Sequence, residues 1–274
     1  MRPSRSSAFA PSSLVLCSAN LLIVASLGLS GCSSSIAPSA VANSQAISGN
    51  WQVSSSAQAA SKLPSLSGTL TGSTSAVTGT LHSVSTNSCV APTTLIQVSG
   101  HADAKNNLTL TGTVGGGTLT ITGTLAGDGK SLTGAAYTVA SGSCAFTAQA
   151  AATAQSYSSV TGTYAGSFSD ANGQVISITA NLAQTPASDS DGNFQLSGSG
   201  TFPNNPCFSS PVSISNSQVT GGTFTQTYAD PNTQNSVTAT GTFSTDASTL
   251  TVTNWTLTGS CGPDSGTGSL TRQP

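Results

Sequence analysis

Residues 107–125 read NLTLTGTVGGGTLTITGTL, and this stretch decides the fold class. On one face of each half the residues are apolar or glycine: Leu108, Leu110, Gly112 and Val114, then Leu119, Ile121, Gly123 and Leu125. Threonine fills nearly every position between them. Alternation with period two predicts β-strands with one buried face, and threonine favours strands while keeping the other face polar and uncharged. The stretch therefore predicts two neighbouring strands of an antiparallel, all-β protein.

The chain after residue 46 is a tandem repeat of two domains. The segment ISGNW at 47–51 is matched by VTGTY at 160–164, and the two begin 113 positions apart. This distance is too long for a solenoid repeat and suits a whole domain. The cysteines repeat as well, since Cys89 and Cys144 are 55 positions apart and Cys207 and Cys261 are 54 apart. We predict domain 1 at 47–152 and domain 2 at 160–274, joined by an Ala- and Ser-rich linker at 153–159.

Eight strands are predicted in each domain. Those of domain 1 are expected to begin near Ile47, Ser65, Ala76, Thr93, Asn107, Thr118, Ser131 and Cys144. Those of domain 2 are expected to begin near Val160, Gln174, Asn193, Pro211, Gly222, Asn235, Thr249 and Ser265. This spacing, with turn signals between strands, is typical of an all-β barrel or sandwich. We favour an eight-stranded antiparallel up-and-down barrel, with an immunoglobulin-like β-sandwich as the alternative.

Glycines inside the strands favour the barrel. They recur between threonines on the predicted inward face, where small residues let a sheet coil tightly enough to close: Gly79, Gly112, Gly123, Gly162 and Gly241. In a sandwich of the immunoglobulin kind a buried Trp lies between the two cysteines, whereas Trp51 precedes Cys89. The opening Gly49-Asn50-Trp51 resembles the start of lipocalin-like and avidin-like barrels.

The N-terminus has the features of an export signal. Arg2 and Arg5 are followed by an apolar run from Leu14 to Leu29, which is typical of a secretory signal peptide. The run ends in Leu29-Ser30-Gly31-Cys32, which resembles the lipobox of bacterial lipoproteins. A transmembrane anchor and an ordinary signal peptide with an incidental Cys are the alternatives.

The lipobox resemblance implies that Cys32 is lipidated. In that family a diacylglycerol is attached to the Cys sulfur, the chain is cleaved before the Cys, and the new amine usually receives a further acyl chain such as palmitate. Residues 1–31 would then be the signal peptide and 32–46 a flexible tether. By the family's sorting rule, Ser33 favours the outer over the inner membrane.

One disulfide is expected in each domain. With Cys17 in the signal and Cys32 lipidated, one homologous cysteine pair remains in each repeat of an exported protein. In a meander both members of each pair lie at the same barrel mouth. The predicted disulfides are Cys89–Cys144 and Cys207–Cys261.

The composition argues against several functions. Charged residues make up 5% of the 274 residues, against about 25% in an average soluble domain. Nucleic-acid binding needs a basic face, so no nucleic-acid partner is expected. All eight acidic residues are Asp and there are two His, which leaves no catalytic triad to nominate. His82 and His101 are expected at opposite mouths, about 20 Å apart, so neither a metal site nor a cofactor is predicted.

Two further patterns have a structural and a functional interpretation. The aromatic residues Trp51, Tyr137, Tyr164 and Trp255 either fill the barrels or line a ligand pocket. The segment 189–193, DSDGN, is either a polar hairpin tip or part of a calcium loop. Other Asp residues stand beside turn-forming residues.

The sequence predicts a lipid-anchored, non-enzymatic envelope protein with a structural or surface-interaction role. The alternative is a module that binds a small apolar ligand or a glycan inside a barrel. Its membrane contact is the N-terminal lipid, and its ligand or protein partner is unknown. The tether and domain 2 are both expected at the mouth of domain 1 that carries Asp103, Lys105, Asp128 and Lys130.

Overall fold

The computed structural model describes residues 45–56, 63–84, 90–91, 94–209 and 211–274. The first eight strands are β1 Gly49–Ser55, β2 Leu66–Ser73, β3 Ala76–Ser83, β4 Leu95–Ala102, β5 Asn107–Val114, β6 Gly117–Leu125, β7 Ser131–Val139 and β8 Phe146–Tyr157. The next eight are β9 Gly162–Asp170, β10 Val175–Gln184, β11 Phe194–Thr201, β12 Val212–Thr220, β13 Thr223–Ala229, β14 Ser236–Phe243, β15 Thr249–Thr258 and β16 Asp264–Arg272. Each strand begins within two residues of the predicted start.

The strands close into two tandem barrels, β1–β8 (barrel 1) and β9–β16 (barrel 2). Every strand pairs antiparallel with the next one in sequence, and the last strand of each barrel pairs with its first. This topology confirms the predicted pair of eight-stranded up-and-down barrels. It excludes the immunoglobulin-like alternative, because a sandwich keeps two separate sheets.

The alternation of residue types separates side chains that point into the barrel from side chains that point to solvent. In the hairpin β5–β6, Leu110 lies opposite Ile121 and both are buried, while the threonines between the apolar residues face outward. Because side chains alternate across a strand, a shift of one residue would turn the apolar row to solvent. The buried row therefore fixes the register of the hairpin.

Glycine lets neighbouring strands approach closely at the inward positions. Gly241 is buried at a register shift between β14 and β15, and a Cβ built on it would lie 1.9 Å from the carbonyl oxygen of Thr251. At Gly79 such a Cβ would lie 2.5 Å from the carbonyl oxygen of Thr69. No side chain fits at these distances, so the glycines are required by the curvature of the wall.

The predicted linker, 153–159, begins too early, because its first five residues belong to strand β8. Strand β8 runs to Tyr157 and pairs with β1, with Ala154 opposite Val53 and Ser156 opposite Trp51. Ala154 and Ser156 are buried, so their burial against β1 holds the stretch in the sheet. The connection between the barrels is residues 158–161.

The prediction that the chain enters domain 1 at the charged mouth agrees with the position of Gln45, and the prediction that domain 2 lies at that mouth is wrong. Gln45 Nε2 donates to the carbonyl oxygen of Gly127 at 2.6 Å, which places the end of the tether at the β6–β7 loop, in the charged mouth. Barrel 2 does not dock on that mouth. Its loops β10–β11 and β12–β13 pack instead against the outer wall formed by β1–β3, where outward polar side chains receive them.

Candidate functional site

The four aromatic residues singled out in the sequence lie inside the barrels. Trp51 and Tyr137 are in barrel 1 and Tyr164 and Trp255 in barrel 2, and each is at most 1% exposed. Other large side chains are fully buried with those of barrel 2: Phe168, Phe194, Phe202 and Tyr228. These residues pack into the barrel cores, in the manner of small barrels whose interior is filled by side chains.

Barrel 1 contains two aromatic polar atoms without partners. Trp51 Nε1 and the Tyr137 hydroxyl are buried and make no hydrogen bond among the described residues. Burial raises the pKa of Tyr137, so the hydroxyl keeps its proton at neutral pH. A buried donor without an acceptor costs free energy, and these two atoms mark the place inside barrel 1 where a polar group could be held.

In barrel 2 the tyrosine hydroxyl and the tryptophan Nε1 at the corresponding positions both have hydrogen-bond partners. The Tyr164 hydroxyl donates to the carbonyl oxygen of Ala247 at 2.7 Å, and Trp255 Nε1 donates to the carbonyl oxygens of Ser169 and Thr267. Sequence reasoning missed one polar pair in this core, Tyr228 and Gln226, in which the tyrosine hydroxyl donates to Gln226 Oε1 at 2.7 Å.

The cysteines agree with the prediction where the structure describes them. Cys207 and Cys261 form a disulfide with a Cα–Cα distance of 5.8 Å. Cys207 lies in the β11–β12 loop and Cys261 in the β15–β16 loop, which share one mouth of the meander. Cys144 is buried and disulfide-bonded, but its predicted partner Cys89 lies outside the described residues, as does Cys32, so that pairing and the lipidation stay predictions.

The aspartates build turns. Six of them accept a hydrogen bond from the backbone N–H two residues ahead: Asp103, Asp128, Asp170, Asp189, Asp230 and Asp246. In the segment 189–193, Asp189 Oδ1 accepts from the N–H groups of Asp191 and Asn193, and Oδ2 accepts from Gln195 Nε2. The geometry is that of the predicted hairpin tip.

The two histidines lie far apart in barrel 1. His82 lies opposite Leu95, and His101 is six residues further along β4, which separates the two histidines by about 20 Å. Over the ranges that the structure describes, no three His, Cys, Asp or Glu residues lie close enough together to hold a metal ion.

The outer wall of β1–β3 is the interface between the barrels. Asn50, Ser67 and His82 occupy outward positions, yet they are 3%, 0% and 1% exposed. Barrel 2 covers two of them, since Gly221 lies against Asn50 and Gly192 against His82. Asn50 Nδ2 donates to the carbonyl oxygen of Gly221 at 2.8 Å, and Gln52 Oε1 accepts from the N–H of Gly222 at 3.2 Å.

Sequence reasoning missed this interface, although a signal for it exists. Asn50, Gln52 and His82 are large polar side chains at outward positions, where β5 and β6 carry almost only threonine. A local cluster of larger hydrogen-bonding groups on an otherwise uniform threonine surface marks the wall that receives a partner.

A cavity of about 410 Å³ lies beside this interface. One wall is the outer face of β2–β4 and the other is the β10–β11 loop of barrel 2. Its lining is Thr69, Thr71, Thr78, Gly79, Thr80, His82, Leu95, Gln97, Ala187, Ser188, Asp189 and Ser190. The two walls are tied together because the backbone N–H of Ser188 donates to Thr69 Oγ1 at 3.3 Å.

Comparison with known proteins adds no relative. No family model, no curated protein and no solved structure matches the chain. Within the part of the chain that the structure describes, no helix has the length and apolar character needed to cross a membrane.

Proposed function

We propose that this protein is a lipid-anchored, non-enzymatic component of the bacterial cell envelope that acts through its outer surfaces. The observation that carries the role is the packing of both barrel cores with large side chains, Trp51 and Tyr137 in one and Tyr164 and Trp255 in the other. A filled core leaves the walls, mouths and inter-barrel cavity as the surfaces for contact. The anchor is proposed from the lipobox and Cys32.

The walls suit contact with other envelope components. Threonine covers the outside of β5 and β6, and it offers hydroxyl donors and acceptors without charge. Such a surface can hydrogen-bond many polar partners and is little affected by salt. Ser33 leads us to propose the outer membrane as the site of the anchor.

The anchor is tested by substituting Cys32→Ala in the full chain and following the protein between membrane and soluble fractions. The wild-type protein is expected in the membrane fraction with acyl groups at Cys32. The C32A variant is expected to lose acylation and to keep its signal uncleaved at this position. Cys17→Ala is the matched control, since it removes a cysteine from the same apolar run and should behave as wild type. Acylation retained in C32A would refute the anchor.

One observation favours the alternative of a ligand inside barrel 1, namely the unpartnered Trp51 Nε1 and Tyr137 hydroxyl. Tyr137→Phe separates the two functions, because it removes one of these groups while keeping the ring. If barrel 1 holds no ligand, the variant is expected to be as stable as wild type or slightly more stable. A loss of about 1 kcal/mol or more in the free energy of unfolding would show that the hydroxyl has a partner and would favour the binding function.

A further inference from the structure

We propose that the cavity between the barrels binds a neutral saccharide or a similar small polyol. The proposal concerns the cavity lined by β2–β4 and the β10–β11 loop, and it does not depend on the lipid anchor. A volume of about 410 Å³ lies within the usual range of ligand sites.

The lining is rich in hydroxyl groups from both walls. β2 and β3 supply four threonines and the β10–β11 loop supplies two serines: Thr69, Thr71, Thr78, Thr80, Ser188 and Ser190. A hydroxyl both donates and accepts. Saccharide hydroxyls have the same dual character, so a wall of hydroxyls can match them in several orientations.

Two other polar groups, the Gln97 amide and the Asp189 carboxylate, are placed to give such a ligand fixed contacts. Thr80 Oγ1 donates to Gln97 Oε1 at 3.1 Å, which orients the amide, and Gln97 Nε2 makes no hydrogen bond among the described residues. Asp189 accepts three hydrogen bonds, two from its own turn and one from Gln195 of β11, and a carboxylate has about four acceptor positions. One acceptor position of Asp189 is therefore available to a ligand hydroxyl.

His82 independently indicates that the cavity holds a ligand, because a buried atom of its ring has no hydrogen-bond partner. Its side chain is 1% exposed and contributes to the cavity wall, yet its buried Nδ1 makes no hydrogen bond among the described residues. Buried polar groups in proteins are normally paired with protein or with ordered solvent or ligand. A polyol in the cavity would bring hydroxyl groups next to this ring.

The charge and apolar content of the lining select against other ligands. The lining contains no Lys or Arg and one carboxylate, so an anion such as phosphate would face Asp189 without a lysine or arginine to balance it. Leu95, which is 53% exposed and lines the cavity, gives an apolar surface that can contact the C–H groups of a sugar. The lining contains no aromatic ring, which disfavours a flat aromatic ligand.

Saturation-transfer NMR on the purified full chain tests the proposal, in a detergent without a sugar headgroup. The probes are maltose and N-acetylglucosamine, with inorganic phosphate as the charged comparison. Both sugars are expected to bind with a Kd of about 1–10 mM, as suits an open polar site, and phosphate is expected not to bind. Absence of sugar binding at about 50 mM would overturn the proposal.

Variants on each wall locate the site. Thr80→Val with Gln97→Ala changes the barrel 1 wall, and Ser190→Ala changes an exposed position in the barrel 2 loop, where a loss of folding is not expected. Each is expected to reduce the sugar signal several-fold, while Thr109→Val, a matched outward threonine on β5, keeps it. Unchanged binding in both wall variants would overturn the proposal, and a thermal melt confirms that each variant is folded.

Discussion

At the scale of single residues, the curvature of the barrel wall depends on glycine positions, where no side chain separates neighbouring strands. The carbonyl of Thr251 occupies the space into which a Cβ of Gly241 would project. Here the close approach coincides with a register shift between β14 and β15, and Gly100 meets the carbonyl of Thr109 as closely in a regular stretch of β4 and β5. The threonines beside the glycine then turn outward, so one Thr-Gly-Thr unit supplies both curvature and a polar surface.

We expect Gly241→Ala to destabilise the protein by about 2–3 kcal/mol, because the new methyl group forces the β14–β15 backbone apart. Gly127→Ala is the control, since a Cβ there meets no atom within 4 Å. Urea denaturation of both variants measures the difference. Equal stability of G241A and wild type would show that the strands can separate without loss.

The sequence predicts which side chains of strands such as β5 and β6 are buried, because burial follows the alternation of apolar residues and threonine. The exceptions depend on side-chain hydrogen bonds that the alternation does not show. Gln226 occupies an inward position that the pattern reserves for apolar residues, and it is held there by the Tyr228 hydroxyl. Asn50 is outward and buried because it receives the loop at Gly221. The partner of Gln226 is two positions away in β13, whereas the partner of Asn50 is 171 positions away and cannot be found from the local sequence.

At the scale of elements, the hairpins are held by aspartate turns. Asp246 Oδ1 accepts from Ser244 Oγ at 2.6 Å and from the N–H of Ser248 at 3.0 Å. These hydrogen bonds, with that of Ser244 the strongest, lower the pKa of Asp246 to about 2. Asn107 likewise lowers the pKa of Asp103. At Asp230 burial raises the pKa, but hydrogen bonds from Ser209 outweigh it and the net shift is downward.

Because of these turn aspartates, the stability of the folded protein depends on pH in the acidic range. A carboxyl whose pKa is lower in the folded than in the unfolded state stabilises the fold above the unfolded pKa, near 3.9, and this contribution is lost as pH falls through the folded pKa. We expect a melting temperature that is flat above pH 5 and falls between about pH 4 and pH 2. Asp246→Asn keeps an acceptor oxygen without the titration, so its melting temperature should fall less steeply. An identical acid profile in D246N would contradict the assignment.

Element boundaries were predictable where turn residues mark them. The strand β15 begins at Thr249 as predicted, just after the Asp246 turn. The end of β8 was not predictable, because Ala- and Ser-rich sequence is as common in linkers as in strands. Pairing with β1, which places Ser156 opposite Trp51, keeps it in the barrel.

At the scale of the whole molecule, the two barrels form one body through a mouth-to-wall interface. Side chains of β1 reach the β12–β13 loop, with Asn50 bound to Gly221 and Gln52 to Gly222. Beside them the Tyr157 ring packs edge-on against Phe243, with centroids 5.4 Å apart. The connection of residues 158–161 is too short to separate the barrels widely.

We expect Asn50→Ala with Gln52→Ala to uncouple the barrels. Loss of two interface hydrogen bonds, which leaves backbone groups of the β12–β13 loop unpaired, should cost about 1–3 kcal/mol of coupling. Scanning calorimetry should show one cooperative transition for wild type and two resolved transitions for the variant. Thr109→Ala on β5 is the control and should keep one transition. A single unchanged transition in the double variant would contradict a coupled interface.

The central claim is a lipid-anchored molecule with two filled barrels, and the mass of the protein extracted from its own membrane tests it most directly. Native mass spectrometry should show a chain that begins at Cys32, carries acyl groups and two disulfides, and holds no tightly bound small molecule. A chain that begins at Met1, cleavage at another residue, or an extra mass released on denaturation would contradict the claim.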